Sequence, residues 1–218
     1  MGELEQSIMV VHVLHSFGTG GMEAIVATVV SQASPRFRPI ILCLTVAGDS
    51  TKLLPPGVEV IELHKPPGNS IVFIWRLSRR LKQLNPDIVH TYNWSGMDAI
   101  IASRLVGIRG VIQSEHGWDM DDPDGLNPKR RRIRRFLSRW TREVTCVSRQ
   151  MVSWLEEEVK VCRPVTHIYN GVLIPFDIVR AMEGKSGRSW SYLQMRLFSE
   201  LSVGWIRLKI IHCFYEYL

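Results

Sequence analysis

Apolar residues come along this chain in short bursts, separated by longer stretches in which they recur every three or four positions. The run 8–14 (IMVVHVL) reads as a buried strand, and the glycine-rich SFGTGG after it opens a helix over 22–33. Residues 40–44 form a second strand, and 58–63, after a Pro-Pro-Gly turn, a third. Over 71–84 the spacing of Ile71, Ile74, Trp75, Leu77, Leu81 and Leu84 predicts a helix with its arginines outward, and Asn85-Pro86 stops it. Strand 88–91, helix 97–106, strand 111–113, a polar loop 115–128, helix 129–141, strand 144–147, helix 148–159 and strand 166–169 follow.

Strict alternation of strand and helix implies βαβ units, hence an α/β domain built on a Rossmann-like parallel sheet with helices on both faces. In such a sheet ligands gather outside the carboxyl ends of the strands. The positions to inspect are therefore 16–23, 91–94, 115–119, Ser148 and Asn170-Gly171. Residues 179–218 break the rhythm: they contain no proline and hold 7 of the 19 aromatic residues. The expected organisation is a domain over 7–178 and a tail over 179–218 that does not match it.

Composition narrows the class. At 218 residues, 45% apolar and 22% charged, the chain suits one globular domain and a remainder. The formal charge of +6 is local: the fourteen residues 129–142 hold eight basic side chains and no acidic one, while residues 1–128 hold 10 basic and 13 acidic. Four cysteines without a C-x-x-C pair read as reduced thiols. The acidic start MGELEQS is unlike a signal peptide, and no apolar run approaches the ~18 residues of a membrane span. A cytoplasmic location is expected, with the inner face of a membrane as a peripheral option.

The motifs follow the strand ends. Gly18-Thr19-Gly20-Gly21 lies between a strand and a helix, where glycines let backbone N–H groups approach a phosphate at the positive helix end. The bland alternative is a tight turn. Glu23 stands where a dinucleotide fingerprint needs its third glycine, and no Lys-Ser/Thr pair makes a P-loop. His116, just past a strand, could bond a ligand hydroxyl or move a proton, or simply cap its loop. His12 and His15 point opposite ways on a strand and form no metal pair, and His90 reads as a strand-end residue. Asp119, Asp121, Asp122 and Asp124 do not fit an EF-hand, because Pro123 and Arg130 occupy ligand positions. Asp119-Met120-Asp121 fits a short D-x-D pattern, yet a solvated loop is the commoner reading, and no metal is expected.

In 129–142, Ile133, Phe136, Leu137 and Trp140 form one apolar stripe, leaving Arg130, Arg131, Arg134 and Arg135 as an anion-facing or membrane-facing surface. Near anionic lipid each such residue adds ~1 kcal/mol. Sheet packing with arginines in water is the alternative, and no nucleic-acid motif accompanies the stripe.

Taken in order, these strand ends resemble the N-terminal half of family 4 glycosyltransferases, retaining enzymes of GT-B fold. The resemblance rests on Gly20-Gly21-Met22-Glu23, Asn85-Pro86-Asp87-Ile88-Val89-His90-Thr91, Glu115-His116-Gly117, Val147-Ser148 and Ile168-Tyr169-Asn170-Gly171-Val172, and spans roughly 8–175. The loop from His116 through Asp121-Asp122-Pro123-Asp124-Gly125 with the arginine helix looks similar to sugar transferases of bacterial exopolysaccharide and exosortase systems.

The resemblance implies a nucleotide-sugar donor, a glycan or lipid-linked acceptor, and no cofactor or metal. By the same resemblance Gly20 and Gly21 would approach the donor diphosphate, Glu23 would belong to that loop, and His116 would contact the transferred sugar as the catalytic residue. Asn93 and Asp119 would line the acceptor cleft. The family's donor-gripping second domain, with its Arg/Lys pair and E-x₇-E motif, has no counterpart in 179–218, and Leu173 stands where the family often has Asp. A truncated or frameshifted enzyme, weak or inactive alone or dependent on a separate donor domain, is the expectation. A non-catalytic module for an anionic glycan or membrane-surface partner is the alternative. A small Rossmann-type enzyme with another phosphorylated cofactor is a third reading.

Overall fold

Seven strands, all parallel, make the central sheet: β1 (Ile8–Leu14), β2 (Phe37–Cys43), β3 (Glu59–Glu62), β4 (Ile88–Tyr92), β5 (Val111–Glu115), β6 (Glu143–Cys146) and β7 (Val165–His167). Their spatial order is β3-β2-β1-β4-β5-β6-β7. The chain first winds from β1 toward β3, then jumps back to β4 on the other side of β1, so the direction reverses between β1 and β4. That is the topological switch point at which α/β sheets open a ligand crevice. This computed structural model describes residues 7–171. The chain divides into two units, Met1–Ile168 and Tyr169–Leu218, and every element named here belongs to the first. The expected boundary at 178, the segment 179–218 and Cys213 lie outside the described residues.

The connecting helices are α1 (Gly21–Ser31), α2 (Ile71–Leu84), α3 (Met97–Leu105), α4 (Pro128–Leu137) and α5 (Arg149–Ser153). A 3-10 turn (Ser138–Trp140) extends α4, π-helical turns (Trp154–Val159) extend α5, and a further 3-10 turn (Asp49–Leu53) joins β2 to β3. α1 packs on one face of the sheet with Leu14, Ile41, Cys43 and Tyr92. α2, α3 and Leu137 of α4 pack on the other, against Val11, Val13, Ile40, Leu42, Val89 and Val111. α5 and its extension bury Met151, Trp154, Leu155 and Val159 with Val144 and Cys146.

Two helices sit rotated from the face that apolar spacing predicts. In α2 the buried positions are Phe73, Leu77, Ser78 and Leu81, while Ile71 and Trp75 are 88% and 58% exposed. Each fully buried Leu or Phe contributes about 1.5–3 kcal/mol, so the row at i, i+4, i+8 decides the docking. Arg76, expected outward, donates to the Leu63 carbonyl at the end of β3. The ends of α2 follow local chemistry: the Ser70 hydroxyl caps Phe73 N–H at 3.2 Å, and Asn85, in the left-handed conformation (φ 47°), donates its N–H to Leu81 O at 2.9 Å.

In α4 the stripe is likewise turned outward. Leu137 is buried, Ile133 and Phe136 are 42% and 49% exposed, and the residue pointing at the sheet is Arg134, 5% exposed. This corrects the expectation of a four-arginine surface. Arg130 and Arg131 are also largely covered, with side chains 15% and 20% exposed, and of the four only Arg135 stays exposed, beside Arg132 and Arg139. No helix among the described residues is long and apolar enough to cross a membrane.

Candidate functional site

The loops after β1 and β4 flank the switch point at the carboxyl edge, and the β5 loop joins the β4 loop beside it. The β1 loop is held from the side. Phe17 bridges to Ala47, Ser50 Oγ donates to Gly18 O at 2.5 Å, and a Cβ on Gly48 would lie 2.7 Å from the Gly18 Cα. Glycine at 48 is what lets the two loops touch. α1 then starts from Gly20 in extended backbone with no side-chain cap, leaving first-turn N–H groups without a capping partner. The Glu23 carboxylate folds back over this end: a Cβ on Gly20 would lie 2.2 Å from its Oε2, whereas one on Gly21 would meet nothing within 4 Å. Gly20 and Gly21 thus form a turn that the Glu23 carboxylate covers at Gly20 and leaves open at Gly21, with that acid positioned to complement the helix dipole.

Asn93 closes the β4 end in a strained backbone, φ 50° and ψ −158°, a region normally left to glycine. Four hydrogen bonds hold it: Asn93 N–H to Ser114 O (2.8 Å), Gln113 Nε2 to Asn93 O (2.9 Å), Gly96 N–H to Asn93 O (3.2 Å) and His116 N–H to Asn93 Oδ1 (2.6 Å). The last of these assigns the side-chain oxygen of Asn93 to placing His116.

The His116 ring lies 5.4 Å from that of Tyr92 and makes no hydrogen bond to a described residue; its Nδ1 is buried without a partner. Burial lowers its pKa to about 4. At neutral pH it is an uncharged imidazole, suited to a hydroxyl and unsuited to pairing with an anion. Behind it runs a buried polar chain across the sheet. His12 Nδ1 meets Tyr92 Oη (2.8 Å), which meets His90 Nδ1 (3.0 Å); His90 Nε2 meets Ser114 Oγ (2.6 Å), which meets Thr145 Oγ1 (2.5 Å). Burial drives His12 to about 4 and His90 well below its ordinary value, the latter helped by neighbouring His12 and His116.

The acidic loop after His116 is tied down at Asp119 and Asp122, while Asp121 and Asp124 stay exposed to solvent. Asp119 Oδ2 accepts from Arg130 Nη1 (3.0 Å) and Arg134 Nη2 (2.8 Å), and Arg134 Nε donates to Glu115 Oε1 (2.9 Å). Burial raises the Glu115 pKa against the pull of Arg134; for Arg134 burial acts downward, but the Glu115 carboxylate outweighs it and keeps the guanidinium charged. The guanidinium carbons of Arg130 and Arg134 lie over the Trp94 ring, 4.9 and 5.1 Å from its centre. Asp119, expected in an acceptor cleft, therefore has its Oδ2 committed to two arginines. Asp122 is buried with one oxygen accepting from Asn127 N–H at 3.1 Å. Among the described residues no group of His, Cys, Asp or Glu is arranged to hold a metal ion.

The polar chain and the Glu115–Arg134 pair escape sequence reasoning. Strand parity held the signal for the first, since His12 pairs with His90 across the ladder and Ser114 with Thr145. For the second, the signal was an acid at the last position of a buried strand.

The sequence over residues 19–173 matches the model of Glycosyltransferase Family 4. No curated protein matches significantly. Among solved structures, the fold is similar to a glycosyltransferase from Rickettsia africae (TM-score 0.57, 18% identity, 84% of this chain and 51% of that one). It is similar also to a lipopolysaccharide outer core galactosyltransferase, WaaB (0.56, 15%, 78% and 47%). A third is HepE of Anabaena, solved with UDP and glucose (0.55, 16%, 81% and 50%). The chain spans about half the length of these structures.

Proposed function

The chain belongs to glycosyltransferase family 4, and from that membership we propose that it acts as the acceptor-side half of a retaining, GT-B hexosyltransferase using a nucleotide-sugar donor. The observation that carries this reading is His116: a neutral imidazole on the loop after β5, one strand from the switch point, with a hydrogen-bonding nitrogen that no described residue satisfies. A sugar hydroxyl is a partner of the right chemistry. The uncapped amides around Gly20 and Gly21 supply fixed dipoles for the diphosphate, where charge grows as the nucleotide departs. Glu23 borders that turn, Asn93 places His116 through its backbone N–H, and Asp119 shapes the neighbouring loop through its arginines. HepE was solved with UDP, which supports a nucleotide-sugar here. The nucleotide is gripped mainly by a second half, on the same polypeptide or a separate partner. The acceptor is a lipid-linked or growing polysaccharide, of the exopolysaccharide type that the His116–Gly125 loop resembles.

The test is release of nucleoside diphosphate from a panel of nucleotide-sugars, with lipid-linked and glycan acceptors, by the full chain with and without a donor half. His116→Ala should abolish transfer by at least ~10², and full activity in that variant would sink the role. A second reading, a non-catalytic module at an anionic membrane surface, draws on the exposed Arg132, Arg135 and Arg139 beside half-exposed Ile133 and Phe136 on α4. That face would also keep the transferase near the inner leaflet.

A further inference from the structure

Arg134 is the only described side chain that grips both flanks of His116. Its guanidinium bonds Glu115, the residue immediately before, at 2.9 Å and Asp119, three residues after, at 2.8 Å. Its Cζ lies over the ring of Trp94, next to the Asn93 that accepts the His116 N–H, and over that of Trp154 at 5.2 Å. Trp154 in turn donates to Gly125 O (3.1 Å) at the far end of the same loop, and Arg131 Nε donates to that carbonyl at 2.6 Å. One guanidinium thus connects the ends of β4 and β5, the loop and two helical segments.

Stability alone does not call for it. Replacing a buried ion pair by apolar groups of similar volume is often neutral or stabilising by ~1–4 kcal/mol, and a guanidinium with Nη1 left unpartnered is a poor way to fill a core. What the charge adds is direction: fixed geometry toward two carboxylates on either side of one histidine. We propose that Arg134 is a positioning residue, holding the Glu115–Asp119 segment so that the His116 ring stays in its half-buried place beside Tyr92. The inference rests on the reading of His116 as the sugar-contacting group, but its test needs no sugar.

The experiment titrates the histidine rings of the full chain by NMR. His116 and His12 are both lowered to about 4 by burial, but only His116 sits on the segment Arg134 grips. In Glu115→Met/Arg134→Met, which keeps the volume and removes the charges, the His116 pKa should rise by at least one unit toward 6.5 while His12 stays near 4. Exchange of the His116 amide should quicken at least tenfold, with β1 amides unchanged. Arg134→Lys should fall between. A folded double variant with His116 unmoved, or with His116 and His12 released together, overturns the proposal. If the double variant does not fold, Asp119→Asn, which weakens one flank, should still raise the His116 pKa alone, and no change there also overturns it. Loss of transfer activity plays no part in these readouts, so a failure of the transferase reading stays separate.

Discussion

Acidification should unfold this domain earlier than its carboxylates alone would require. His12 is buried between β2 and β4 with Nδ1 on the Tyr92 hydroxyl, and burial lowers its pKa from 6.5 to about 4. The folded state therefore resists a proton that the unfolded chain accepts below pH 6.5. Stability from neutral His12 is complete above pH 6.5 and falls as the pH drops toward 4. A shift of about 2.5 units at 1.36 kcal/mol each gives about 3 kcal/mol lost from this residue, against a total of ~5–15 kcal/mol for a domain. His90, lowered by burial and by His12 and His116, acts in the same direction. Urea unfolding at constant ionic strength between pH 7.5 and 4.5 measures the slope, and His12→Gln, which cannot titrate, isolates the residue. The difference between wild type and variant should shrink or reverse by 2–3 kcal/mol across that range. A pH-independent difference, or a His12 resonance titrating near 6.5, would refute the reasoning.

Other substitutions test neighbouring parts of the edge. Asn93→Ala keeps a Cβ at the strained φ 50°, ψ −158° and removes the acceptor for His116 N–H; a loss of about 1–3 kcal/mol in chemical denaturation is expected, with Asn93→Gly, which relieves the strain, recovering part of it. Gly48→Ala drives a methyl into the Gly18 backbone at 2.7 Å and should cost about 1–3 kcal/mol while displacing the Gly20-Gly21 turn, seen as amide shifts there. Co-sedimentation with phosphatidylglycerol vesicles should fall at least tenfold in Arg132→Glu/Arg135→Glu/Arg139→Glu. The covered Arg131, paired with Glu158 at 2.8 Å, should contribute little.

Strand positions were largely legible because fully buried parallel strands are short unbroken apolar runs, and β1 and α2 start and stop where pattern and caps predict. β2 begins three residues before the expected strand, at Phe37. Its Pro39 precedes the point where β3 pairs, so the missing N–H takes nothing from that ladder. Helix faces were less legible. Apolar spacing weighs only hydrophobic gain, and in α4 the buried acid Glu115 requires a counter-charge that turns Arg134 inward and Ile133 and Phe136 out. The place of His116 followed from the rule for strand ends. Its support did not, since the bond of His116 N–H to Asn93, the ring contact with Tyr92 and the Arg134–Glu115 pair link residues at the end of β4, on α4 and at the end of β5 that no local pattern relates.

The central claim is that a nucleotide-sugar sits across the β1 and β5 loops, its diphosphate on the Gly20-Gly21 turn and its sugar at His116. Titration of the isotope-labelled full chain with millimolar nucleoside diphosphate sugars reads this directly. The account predicts saturable shifts of the Gly20, Gly21 and Glu23 amides and of the His116 ring, with the ring shift lost when the free nucleotide replaces its sugar conjugate. Shifts confined to other loops, or none at saturating ligand in the presence of a donor half, would contradict it.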